Sequence, residues 1–143
     1  MLRVGTAAAL AIDAAVHWQN AAGYDAVKAT ISQGALFRVE AGVAIAAALL
    51  VLVWPRRISW ILAVLVAASA LGAVLLYRYV DVGQLGPLPD MYENTWQVPG
   101  KLLSAWAEAA AVILAALGLL THRGAASTRA VADSQALEVT HHR

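Results

Sequence analysis

Residues 34–54 read GALFRVEAGVAIAAALLVLVW, and Pro55, Arg56 and Arg57 follow directly. A helix rises about 1.5 Å per residue and a bilayer's hydrocarbon core is about 30 Å thick, so a run of about 20 such residues has the length of a membrane crossing. Its stop is equally clear. Trp54 suits an interface, Pro55 cannot continue a helix, and the two arginines belong among headgroups.

Working outward, residues 4–22, 58–80 and 102–120 have the same character. The chain is therefore expected to be all-α, a polytopic membrane protein folded as an antiparallel four-transmembrane-helix bundle within residues 1–121, followed by a mobile cytoplasmic tail at 122–143. The turn at Pro55 is very short, so the second and third spans should be antiparallel neighbours. In the third, Ala68 with Gly72 and Ser69 with Ala73 have the four-residue spacing that lets helices approach closely in lipid.

Composition agrees and excludes several classes. Of 143 residues 61% are apolar and 13% charged, against about 25% charged in an ordinary soluble domain. A net charge of +1 leaves no basic stripe for nucleic acid. The absence of cysteine removes iron–sulfur clusters, Cys-ligated metals and dithiol chemistry. No nucleophile–base–orienter set is recognisable, which points away from an enzyme.

Orientation follows from the arginines. Arg3, Arg56, Arg57, Arg123 and Arg129 fall on one side of the expected spans, whereas the opposite segments mix Lys28, Arg78 and Lys101 with Asp25, Asp81, Asp90 and Glu93. Both termini should be cytoplasmic in a multi-pass protein of the cell's inner membrane, with residues 23–33 and 81–100 outside. The run from Arg3 to Leu10 also resembles a signal peptide. Asp13 within that run and the even number of spans that the charge bias requires favour a span. The loop at 81–100 interleaves Gly83, Gly86, Pro87, Pro89, Pro99 and Gly100 with Leu85, Leu88, Met91, Tyr92 and Trp96. It reads either as a cap over the outer mouth of the bundle or as an aromatic belt at the headgroups.

Ionisable groups within spans are functional candidates because lipid tolerates them poorly. Thr6, Asp13, His17 and Asn20 fall on one stripe of the first helix, and Lys101, Ser104 and Glu108 on one stripe of the fourth. Arg38 and Glu40 descend from the outer end of the second helix on opposing faces, and Tyr77, Arg78 and Tyr79 end the third. Together Asp13, His17, Asn20, Arg38, Glu40, Tyr77, Arg78, Trp96, Lys101, Ser104 and Glu108 are the expected lining of an outer-leaflet polar pocket. Glu40 and Glu108 should each find a partner in Arg38, Arg78, His17 or Lys101.

Three readings of that pocket stand side by side. Arginine–carboxylate pairs can tie the helices together; the pocket can bind a small amphipathic ligand or a partner subunit; or His17 with Asp13, Glu40 and Glu108 can hold a divalent metal or relay protons, the last as part of a transport unit acting as a homo-oligomer. Lone His17 within a span argues against bis-histidine haem. His141 and His142 at the chain end are a weaker metal candidate.

The stretches ISQGALFRVEAG, residues 31–42, and LYRYVDVGQLGPLPDMYE, residues 76–93, resemble a group of short four-helix membrane proteins of high-GC actinobacteria. The resemblance covers the chain up to the tail. It implies a compact four-span unit and no catalytic assignment. In span number and size alone the chain is also similar to DoxX-like four-helix proteins, some linked to quinone-dependent oxidoreductases.

Overall fold

The computed structural model describes the backbone of residues 1–141 and the side chains of residues 1–121. Four helices follow in order: α1, Leu2–Ala21; α2, Gln33–Val53; α3, Arg57–Tyr79; and α4, Lys101–His141, with a single 3₁₀ turn at Ala22–Tyr24 after α1. Among the described residues there is no strand, only the isolated bridges Lys28 to Ser32 and Leu85 to Leu88. The helix ends follow local chemistry. Ser32 caps α2 by accepting the Ala35 N–H at 3.0 Å. At the other end Pro55 breaks the chain, and the Ser59 hydroxyl donates to the Trp54 carbonyl at 2.6 Å.

The end of α4 differs from the sequence reading. Its backbone is helical through His141, past the stop expected near residue 120, because no proline intervenes and the segment after Arg123 is rich in alanine. The remaining features of the expected tail at 122–143, with the His141 and His142 side chains, lie outside the described residues.

α2, α3 and the portion Lys101–Thr121 of α4 are long and apolar enough to cross a membrane, so by length and composition the chain is a multi-pass membrane protein. α1 has the length, but Arg3, Asp13, His17, Gln19 and Asn20 lower its average apolarity. Each helix packs on its chain neighbours, and α1 closes against α4. The helices pack through small residues. Ala7, Ala14, Ala44, Ala48, Ala63, Ala67, Ala111 and Ala115 are buried, whereas Val43, Leu49, Leu65, Trp106 and Ile113 are exposed. In lipid large apolar chains gain nothing from the interior, so close backbone approach decides which face turns inward.

Ala68, Ser69, Gly72 and Ala73 do not form the expected helix contact. All four are exposed, with open space beside Gly72, because the inward face of α3 is the one carrying Ser59, Ala63, Ala67 and Ala70. A far tighter approach lies elsewhere. Gly118 sits against the buried ring of Trp60, and a β-carbon there would overlap the indole. Gly118→Ala should therefore lower thermal stability by about 1–3 kcal/mol through overpacking. Gly72→Ala should be neutral or raise it by up to about 1 kcal/mol through helix propensity. Melting both variants in the same detergent checks this; equal melting temperatures would contradict the Trp60 contact.

Candidate functional site

The polar stripes of α1 and α4 meet inside the helix packing. Asp13 lies one turn below His17, and its Oδ1 is 2.9 Å from the imidazole Nδ1. From α4 the Ser104 hydroxyl reaches the same Oδ1 at 2.6 Å and Glu108 Oε1 at 3.1 Å. All four residues are buried. A hydroxyl has one hydrogen, so with Ser104 donating to Asp13 the second contact becomes a hydrogen bond when Glu108 brings a proton of its own. Asp13 Oδ2 and Glu108 Oε2 have no hydrogen-bond partner.

This arrangement limits the chemistry. The serine faces carboxylates and not the imidazole, so it lacks the base that activates a nucleophile. Asp13, His17 and Glu108 offer ligand atoms that all lie within 4.8 Å of one another, a donor set suited to a first-row divalent ion. Glu40, expected as a fourth ligand, is not part of this group.

Directly above lies a cavity of about 340 Å³ between α1, α2, α3 and the start of α4. Its walls are Val16, Leu36, Phe37, Val39, Ala70, Ala73, Val74 and Met91, and its polar groups come from His17, Asn20, Gln33, Glu40, Ser69, Tyr77, Glu93, Lys101 and Ser104. The His17 ring meets Phe37 edge-on at 5.1 Å. Glu40 Oε1 is buried without a partner.

The loop after α3 folds over one end of this cavity. Glu93 accepts hydrogen bonds from Tyr24 Oη at 2.8 Å and from Lys101 Nζ at 3.1 Å, while its N–H donates to the Tyr77 carbonyl at 2.9 Å. Partial burial, with the Glu93 acceptor second, pushes the Tyr24 phenol above its usual range. Asn20 Nδ2 ties Pro99 O to α1 at 3.1 Å. One residue thus joins three segments of the chain.

Of the expected pocket residues, His17, Asn20, Glu40, Tyr77, Lys101 and Ser104 line the cavity, with Asp13 and Glu108 behind its wall. Arg38, Arg78 and Trp96 are not among the lining residues. Arg38 forms a two-pronged pair with Asp25, both bonds 2.7 Å, since two residues along a helix turn it about 160° from Glu40. Arg78 lies 5.0 Å over Tyr79 and 5.6 Å over Trp96. Among the described residues no arginine pairs with a buried carboxylate, so Glu40 lacks the partner expected for it. Depth alone placed arginines and carboxylates together; the angle around each helix separates them.

Sequence reasoning missed Gln33, Phe37, Met91 and Glu93. Gln33, Phe37 and Glu40 are four and three residues apart, the spacing of a single α2 face, so that stripe was readable. Nothing local marks Glu93, whose phenol partner is 69 residues away. No protein-family model, curated protein or solved structure matches this chain.

Two outcomes follow from these contacts. Ser104→Ala removes the donor that bridges two buried carboxyls and should cost about 1–3 kcal/mol. Arg78→Gln loses only ring contacts, about 0.5–1 kcal/mol. Thermal melts of the two variants decide; a larger loss from Arg78→Gln would mean that an ion pair holds the helices.

The Arg38 guanidinium holds the Asp25 carboxyl below its usual range. A carboxyl depressed in the fold stabilises it above the ordinary value near about 3.9 and ceases to as pH falls through the lowered one. In an NMR titration the Asp25 midpoint should rise on Arg38→Gln. No change would mean that the pair is not formed in solution.

Proposed function

We propose that this chain is a non-enzymatic, four-span bundle of the inner cell membrane that binds a small amphipathic ligand, or a partner subunit's side chain, in the cavity above Asp13 and His17. α1 serves as the fourth span, its polar face turned to the other helices. Both termini are cytoplasmic and the loop at 81–100 lies outside, so the loop end of the cavity opens toward the outer leaflet.

One observation carries the reading: a cavity of about 340 Å³ with mainly apolar walls and a few convergent polar groups, Glu40 among them with an unpartnered oxygen. Small-molecule sites have this character and begin at about 300 Å³. A purely structural cluster would have closed on itself. Ala7, Leu10, Ala111 and Ala115 are all buried beyond Asp13 and Glu108, which favours a one-ended site over a conduit.

A thermal-shift screen of quinones, short-chain lipids and other small amphipathic compounds tests the proposal. A compound at 100 times its dissociation constant should stabilise the wild type by about 2.7 kcal/mol. Ala73→Leu, which fills the cavity from α3 without touching a charge, should abolish that shift while leaving the ligand-free protein folded. If no compound shifts the wild type while Asp13→Asn and Ser104→Ala both destabilise it, the cluster is structural and the reading fails.

A further inference from the structure

The charges around the cavity do not balance, and the imbalance indicates what the occupant is. Four carboxyl groups stand on its lining or directly behind it: Asp13, Glu40, Glu93 and Glu108, the last of which shares its proton with Ser104. Glu93 is matched by Lys101, whose ammonium is bonded to its Oε2 at 3.1 Å and to its carbonyl at 2.8 Å. Asp13 is matched by the His17 imidazole at 2.9 Å. Glu40 and Glu108 have no salt bridge among the described residues, and each keeps a buried oxygen without any hydrogen-bond partner. Glu40 lines the cavity itself.

Buried acceptors without donors are costly, and a buried carboxylate without a counter-charge more so. An anionic ligand would add to the excess, since Lys101 is already engaged, Arg38 is held by Asp25, and Arg78 is not among the lining residues. A neutral ligand could donate a hydrogen bond but would leave the charge. A protonated amine supplies both, and charge-assisted hydrogen bonds are the stronger kind.

Resting on the ligand-binding reading, we infer that the cavity takes a small lipophilic amine, its ammonium on Glu40 and its hydrocarbon portion against Leu36, Val39 and Val74. The volume limits the ligand to a short chain or single ring. Glu93 and Asn20 line the loop end of the same cavity.

Heptylamine, 1-heptanol and heptanoate have equal chain length and differ in charge, which makes them the probes. Binding is measured by titration calorimetry on wild type, Glu40→Gln and Ala73→Leu in nanodiscs of neutral lipid, where partitioning into lipid alone is common to all three proteins. The wild type should bind heptylamine about 10–100-fold more tightly than heptanol, and Glu40→Gln should erase most of that preference while still binding the alcohol. Ala73→Leu should bind none of them. Heptanol or heptanoate binding as tightly as the amine, or amine binding unaltered by Glu40→Gln but lost in Ala73→Leu, would overturn the amine assignment and leave the cavity as a ligand site. If no probe gives binding that Ala73→Leu removes, the amine assignment is overturned; only the wider screen then decides the ligand-binding reading.

Discussion

The hydroxyl of Ser104 is the contact on which the interior arrangement depends. It is the polar joint between α1 and α4, reaching Asp13 on one helix and Glu108 on its own. Within lipid, apolar side chains supply no drive toward the interior, and helices associate through close packing and hydrogen bonds between them. The alanines of both helices allow an approach close enough for so short a side chain to bridge. A larger residue at 104 would separate α1 from α4, and a residue without a donor would leave two buried carboxyls facing each other.

That joint in turn sets the shape above it. With α1 and α4 drawn together at Ser104, the helices enclose space between His17 and the loop end, where α3 contributes Ala70, Ala73 and Val74. The loop closes over this space because its anchors are polar groups at helix ends: Tyr24 beyond α1, the Tyr77 carbonyl in the last turn of α3, and Lys101 at the start of α4. Helix ends leave backbone groups unsatisfied, so a loop that supplies partners for them is held there. The loop thereby belongs to the site, which its glycine and proline content alone would not suggest.

How much of this was legible in the sequence depends on the range of the interaction. Helix starts were readable to within two residues, because proline and changes in apolarity are local signals. The stripes Asp13–His17 and Ser104–Glu108 were readable too, since a spacing of three or four residues fixes a shared face whatever the helix packs against. Pairing between elements was not. Arg38 chose Asp25 over a buried glutamate because α2 begins in close contact with the end of α1: a β-carbon at Gly34 would collide with the Ala21 carbonyl and the Asp25 carboxylate. Arg78 came to rest on aromatic rings for the same reason, its angle around α3 being invisible to an argument from depth. Residues 122–143 add nothing to the comparison beyond the helical backbone to His141.

The cost of a buried polar site falls unevenly on the four helices. α2 and α3 remain apolar enough to cross a membrane unaided, and α4 does so despite Lys101, Ser104 and Glu108. α1 carries Asp13, His17 and Asn20 on one face and pays with its average apolarity. That trade is tolerable only because α2 and α4 both pack against it and bury the polar face, leaving Val4, Ile12 and Trp18 outward. A helix so dependent on its neighbours gains stability whenever the groups on its buried face gain partners. The site-bearing helix is accordingly the one whose seating an occupant of the cavity would strengthen most, so the proposed binding would be coupled to the integrity of the whole assembly.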